Sequence, residues 1–194
     1  MKPSEESIRS DYGRAVMYAR LSEMLAERPV SGSGLELGGG SNGLIQAMCP
    51  DVTWTNRDYP EFDVCEEAAW VGGYDVAVLD QVLEHVRYPW EAIAHARQNV
   101  RQALIITVPF LVKVHAVPND FWRMTPQCIR AMAEDAGFTD IQIETWGNAK
   151  AAYWHCLYWH TPLILSNVPE PAWRQALEEN DPESPFMIWA VLRP

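Results

Sequence analysis

Leu35-Glu36-Leu37-Gly38-Gly39-Gly40-Ser41-Asn42-Gly43 decides the reading of this chain. A short apolar run opens directly into a glycine-rich turn, and Leu44, Ile45 and Met48 then fall at helical spacing until Pro50 stops them. Strand, glycine turn and helix in that order bring backbone N–H groups and a helix N-terminus against a ligand. Glycine lets the backbone approach closely and take positive φ. Gly38, Gly40 and Gly43 also spell G-x-G-x-x-G, so a dinucleotide site is one reading and a bare structural turn another.

Two carboxylates bear on that choice. Glu36 stands two residues before the first glycine, where it would repel a pyrophosphate and attract a cationic ligand. Asp58 ends a second strand, Val52 to Asn56, and can accept both hydroxyls of a ribose, as a dinucleotide fold also allows.

Outward from the loop, the pattern alternates. Residues 11 to 27 read as a helix, with Met17, Leu21, Met24 and Leu25 on one face, and Ser31 to Gly34 as a linker. Tyr74 to Leu79 and Leu104 to Val108 read as buried strands. Between them Pro89 to Val100 forms a helix with Trp90, Ile93, Ala94 and Val100 inward. Thr125-Pro126 is an N-cap followed by proline at the first helical position. Ile129, Met132, Ala133 and Ala136 supply the inner face of that helix, and Gly137 ends it. Ile141 to Thr145 and Phe186 to Leu192 close as strands. Such alternation predicts one α/β domain with a mostly parallel sheet and helices on both faces. Its parts are an N-terminal helix and linker (1–33), a ligand-binding core (34–146), an irregular insertion (147–182) and a last strand (183–194).

Composition narrows the partners. The 194 residues carry a formal net charge of -11, with 48% hydrophobic and 21% charged residues. No run of Lys or Arg offers a positive stripe, which argues against nucleic acid and an anionic membrane surface. A small molecule or a peptide fits better. Cys49, Cys65, Cys128 and Cys156 are scattered without a C-x-x-C pair, the polar N-terminus has no signal-peptide core, and no apolar run reaches membrane length. A cytoplasmic protein with reduced thiols is expected.

With those residues in view, the chain resembles the class I S-adenosylmethionine-dependent methyltransferases. Leu35 to Ser41 is similar to their first motif, an acidic residue followed by spaced glycines. Asp75-Val76-Ala77-Val78-Leu79-Asp80-Gln81-Val82-Leu83-Glu84-His85-Val86 and then Pro89-Trp90 resemble their fourth-strand motif. Val108-Pro109-Phe110, His115, Pro118-Asn119-Asp120-Phe121-Trp122-Arg123-Met124-Thr125-Pro126 and Ala136-Gly137-Phe138 resemble one subgroup. The likeness runs in order over residues 34 to 146. It departs at Asn42, which takes the place of the usual third glycine, and between Asp58 and Asp75, where a helix and a strand must be abbreviated.

The resemblance implies a Rossmann-like doubly wound, mostly parallel sheet with an antiparallel last strand. It also implies S-adenosylmethionine as cofactor, S-adenosylhomocysteine as product, and a small-molecule O, N or C acceptor. Glu36, Gly38, Gly39, Gly40, Asn42, Asp58, Asp80 and Gln81 would hold the cofactor. Glu66 would contact adenine, with Asp63 as the alternative. His85, His115 and Asp120 are the candidate catalytic groups, each with a structural reading beside it. Trp122, Arg123 and Trp146 are candidate acceptor contacts, although Asp120 and Arg123 can equally pin their loop as an ion pair. His155 and His160 are five apart, off one helical face, so no metal is expected. The rival functions are a nicotinamide-dependent oxidoreductase and a cofactor-binding domain that transfers no methyl group.

Overall fold

Alternating aliphatic residues that pack on both sides of a sheet organise the molecule. In the computed structural model, which describes residues 5–38, 43–70, 72–116, 119–158 and 179–194, six strands form one sheet. In chain order the elements are α1 (Glu5–Glu27), β1 (Gly32–Leu37), α2 (Leu44–Met48), β2 (Val52–Arg57), β3 (Tyr74–Asp80), α3 (Pro89–Asn99), β4 (Val100–Pro109), α4 (Pro126–Ala136), β5 (Asp140–Trp146), α5 (Ala149–Tyr158) and β6 (Met187–Arg193). The sheet order is β2-β1-β3-β4-β6-β5. The first four strands run parallel, and β6 is antiparallel to both β4 and β5.

The period-two pleat sends neighbours to opposite faces. Val76 and Val78 of β3, with Ile105 of β4, join Met17, Leu21, Leu25 and Ile45 in one core. Ala77 and Leu79, with Leu104 and Ile106, join Ile93, Ile129 and Ala133 in the other. Burial of each such Leu or Ile side chain contributes about 1.5–3 kcal/mol. A sheet buried on both faces explains the nearly unbroken apolar run of Leu104 to Val108.

The helix ends follow their chemistry. Thr125 Oγ1 accepts from the Cys128 N–H at 3.1 Å, and Gly137 caps α4 at φ 91°, where a side chain would be strained. α3 begins at Pro89, but Trp90 does not face inward as its periodicity suggested. It is 46% exposed and meets Trp122 edge-on, ring centroids 5.9 Å apart. The stretch between Asp58 and Asp75 is abbreviated as expected, to a 3-10 turn at Glu67–Trp70. Trp70 nails it down: fully buried, it donates Nε1–H to the Val64 carbonyl at 3.1 Å and meets Phe62 edge-on at 5.6 Å. In the insertion, α5 precedes residues 159–178, which lie outside the described residues with Trp159 and His160. No helix among the described residues is long and apolar enough to cross a membrane.

Candidate active site

β1 is flanked by β2 on one side and β3 on the other, so successive crossovers leave it in opposite directions. The carboxyl ends of the strands at such a reversal are where open α/β sheets bind ligands. A cleft of about 720 Å³ opens there, and its walls include Leu37, Gly38, Asp58, Asp63, Asp80 and Gln81.

Each wall residue is held by a local reason. Gly38 has φ 83°, and a Cβ on it would come within 2.7 Å of Val82 Cγ2. A glycine is therefore required by both conformation and space. Asp58 follows β2 and is exposed, with its backbone carbonyl accepting from the Phe62 N–H at 3.0 Å. Asp63 turns into the cleft because its own side chain accepts from the Cys65 N–H at 2.9 Å, in a tight local turn. Glu66 lines a neighbouring surface hollow and not this cleft, whereas Asp63 borders both.

At the end of β3, Asp80 is buried and accepts from Tyr18 OH at 2.8 Å and from the Thr107 hydroxyl. Burial pushes its carboxyl up, against the hydrogen bonds of Thr107 and Tyr18. Gln81 is the one non-glycine residue with positive φ, 56°, among those described. Its backbone N–H and its Nε2 both donate to Thr107 Oγ1, at 3.1 and 3.0 Å, which holds the strained backbone in place. Glu36, expected to hold the cofactor, is 2% exposed and not among the residues that line the cleft, and its carboxylate accepts from Gln46 Nε2 at 2.7 Å. Gly39, Gly40 and Asn42 lie outside the described residues.

The far end of the cleft is built from two loops. His85 and His115 both line it, their rings edge-to-face with centroids 5.1 Å apart. The Asn119 carbonyl accepts from His85 Nδ1. Burial lowers the pKa of His115, against the Lys113 carbonyl and the Asp120 carboxylate, which raise it. Glu84, beside His85, has a side chain only 1% exposed, and neither of its carboxylate oxygens has a hydrogen-bond partner. Burial pushes its carboxyl up to about 8, against its own backbone N–H, Arg14 and Arg123. Arg14 and Tyr59 also line the cleft, and nothing in the sequence pattern singles them out, nor the buried Glu84 behind it.

The segment from His115 to Arg123 divides by side chain. His115, Asn119 and Phe121 line the cleft. Asp120, expected to be catalytic, does not. Its carboxylate is 1% exposed, accepts from both Arg123 terminal nitrogens, and takes the His115 backbone N–H at 2.8 Å. Burial would raise this carboxyl, but Arg123 and the His115 N–H outweigh it and hold it at about 2. Arg123 spends its other donors on the carbonyls of Val112, Lys113 and Trp122, so it pins the loop and does not line the cleft. Trp122 donates Nε1–H to the Val86 carbonyl at 3.0 Å and also stays outside. Trp146 lies in the core at the end of β5, 7% exposed, and is not among the residues that line the cleft.

No protein-family model and no curated protein matches the chain in sequence. Solved structures do match it in shape. A S-adenosylmethionine-dependent methyltransferase from Archaeoglobus fulgidus superposes with a TM-score of 0.60 at 14% identity, covering 97% of each chain. The CurJ carbon methyltransferase gives 0.61 at 12% identity, over 96% of this chain and 57% of that one. The chain thus has the same fold as these two methyltransferases, over nearly its whole length.

Proposed function

We propose that this protein is an S-adenosylmethionine-dependent methyltransferase acting on a small-molecule acceptor. One observation carries the reading: Gly38, Asp58, Asp63, Asp80 and Gln81 converge on one cleft at the carboxyl ends of β1, β2 and β3. Three carboxylates around a close-approach glycine suit a ligand that combines ribose hydroxyls with a cationic amino group and a sulfonium. They disfavour the paired phosphates of a nicotinamide dinucleotide. The cleft volume is in the range of pre-formed cofactor sites.

S-adenosylmethionine, when bound, supplies an electrophilic methyl group on sulfur. The residues of this chain then bind and orient. Asp58 would accept from the ribose hydroxyls, Asp63 would serve the adenine end, and Asp80 with Gln81 the amino-acid end. His85 and His115 mark the acceptor end, where they orient a polar group for in-line displacement. Phe121 shields that end from water. Asp120 and Arg123 position His115 without touching the acceptor.

Calorimetry with S-adenosylhomocysteine and with NAD tests this reading. Micromolar binding of S-adenosylhomocysteine, roughly -8 kcal/mol, is expected, with no response to NAD. The opposite pattern would return the chain to the oxidoreductases. With an acceptor in hand, His115→Ala should lower turnover while cofactor affinity stays within about twofold, since the lost contact belongs to the transition state. Cofactor binding without turnover on any acceptor would mark a binding domain only.

A further inference from the structure

We propose that Glu84, His85 and His115 form a binding site for a divalent transition-metal ion at the acceptor end of the cleft. Each residue offers one ligand atom, and these atoms all lie within 4.8 Å of one another. His85 Nε2 stands 3.6 Å from Glu84 Oε1. Two ligands on one metal at bond lengths near 2.1 Å are roughly 3–3.5 Å apart, so the pair needs little movement to close on an ion.

Glu84 is the independent sign of a ligand. Its carboxylate is sealed from solvent, both oxygens lack a hydrogen-bond partner, and the side chain faces the imidazole of His85. A buried carboxylate without partners is costly, and coordination to a metal is one of the few ways a protein compensates it. The histidines are also prepared as ligands are. With Nδ1 of His85 donating to the Asn119 carbonyl, the ring presents Nε2 toward Glu84. Nδ1 of His115 faces the Lys113 carbonyl at 3.1 Å and Asp120 Oδ2 at 3.3 Å, and Arg123 fixes that carboxylate in turn. Backbone carbonyls and carboxylates behind the imidazoles are the usual outer support of metal-bound histidine.

Ligand chemistry selects the ion. Two imidazoles and one carboxylate suit zinc, iron, cobalt or manganese better than calcium or magnesium, which favour all-oxygen shells. Three protein ligands leave further positions open, as in catalytic sites and unlike closed structural ones. Because His85 and His115 line the cleft while Glu84 lies behind them, those open positions face the cleft. Metal binding here does not depend on which cofactor the other end takes.

The full-length protein, stripped with a chelator and dialysed, should be titrated with Co²⁺ by visible absorption and with Zn²⁺ by calorimetry. One ion per chain is expected, with Glu84→Gln, His85→Ala and His115→Ala each weakening it by about tenfold or more. Added Zn²⁺ should raise the melting temperature of the wild type and leave that of Glu84→Gln unmoved. Glu84→Gln nearly conserves volume, and its own melting curve checks that it folds. No binding up to about millimolar metal, or binding untouched by all three substitutions, would overturn the site and leave Glu84 as a protonated core residue.

Discussion

One strand carries a carboxylate at each end, and the two have opposite surroundings. Asp75 opens β3. It accepts from Arg101 Nε at 2.9 Å, from the Ser33 N–H at 2.8 Å and from the Ser33 hydroxyl at 2.9 Å. Arg101 first, and Ser33 after it, hold its carboxyl well below the usual carboxylate range. Asp80 closes the same strand five residues later, and there burial pushes the carboxyl up. The start of the strand is saturated with donors and ties β1 to β3. Its end gathers desolvated groups (Asp80, Glu84) and a strained backbone at Gln81. Donor-saturated, partly exposed charge lies at the amino end of this strand and desolvated charge at its carboxyl end, a division expected where a scaffold carries a ligand site.

The sharpest break of that comparison is Asp58→Ala. Asp58 is exposed at the ligand edge, so truncation should leave the melting temperature nearly unchanged. Affinity for S-adenosylhomocysteine should fall by about 2–3 kcal/mol, the worth of a charge-assisted pair of hydrogen bonds. Calorimetry and thermal unfolding on the same sample check both halves.

Asp75→Asn should do the reverse. Loss of the charge-assisted bonds to Arg101 and Ser33 should cost about 1.5–3 kcal/mol of stability at pH 7, with cofactor affinity unchanged. The pH dependence has a defined sign. A carboxylate whose folded pKa is depressed adds stability above its unfolded value, near 4, and loses it as the pH falls through the folded one. Denaturant melts of wild type and Asp75→Asn should therefore converge as the pH drops below about 4. Curves that stay parallel would remove Asp75 from the account.

Asp80→Asn tests the other end with a smaller change in stability. The amide keeps an oxygen for Tyr18 or Thr107 and removes a charge that burial disfavours, so stability should move by less than about 1 kcal/mol. Cofactor binding should weaken all the same, if the charge serves the ligand's cationic end. Equal losses in binding and stability would place Asp80 with Asp75.

The same division decides what could be read from the sequence. Periodicity placed the strands and most helices, because Met17, Leu21, Val76 and Ile105 are buried for the reason that patterns them. Gly38 and Asp58 were legible through a loop chemistry that only a few residue types satisfy. Trp90 and Trp146 exchanged expected surroundings, since an aromatic side chain fits a core and a surface cluster alike and spacing does not separate them. Of Asp63 and Glu66, the two candidates for the adenine contact, only Asp63 borders the cleft, and spacing alone does not separate them. For Asp120 the sequence leaves a reactive role and an ion pair with Arg123 both open, and the structure forms the ion pair. Glu84 was passed over beside His85 because its solvent exclusion comes from elements distant in the chain: the Phe121 N–H donates to its carbonyl at 2.7 Å, and the loop after β4 closes over it. Long-range enclosure leaves no local pattern.

Thr125 offers the finest test, because it separates position from satisfaction. It begins α4 where the loop after β4 returns to the scaffold, only two residues beyond Arg123. Proximity to the candidate acceptor segment alone would group it with the ligand-binding residues. Its bonding groups it with Asp75 instead. The side chain accepts from the Cys128 N–H at 3.1 Å, the backbone carbonyl takes the Ile129 N–H at 3.1 Å, and Pro126 has no N–H to satisfy. Thr125→Ala leaves one helix-terminal donor without its cap, so the loss should be about 1 kcal/mol. Chemical denaturation should show a lower midpoint at unchanged slope, which marks a change in stability and not in compactness. Affinity for S-adenosylhomocysteine should stay within about twofold, as Thr125 does not line the cleft. Binding weakened as far as in Asp58→Ala would mean that nearness to the candidate acceptor segment, and not the surroundings of the side chain, sorts these residues, and the contrast between Asp75 and Asp80 would then lose its basis.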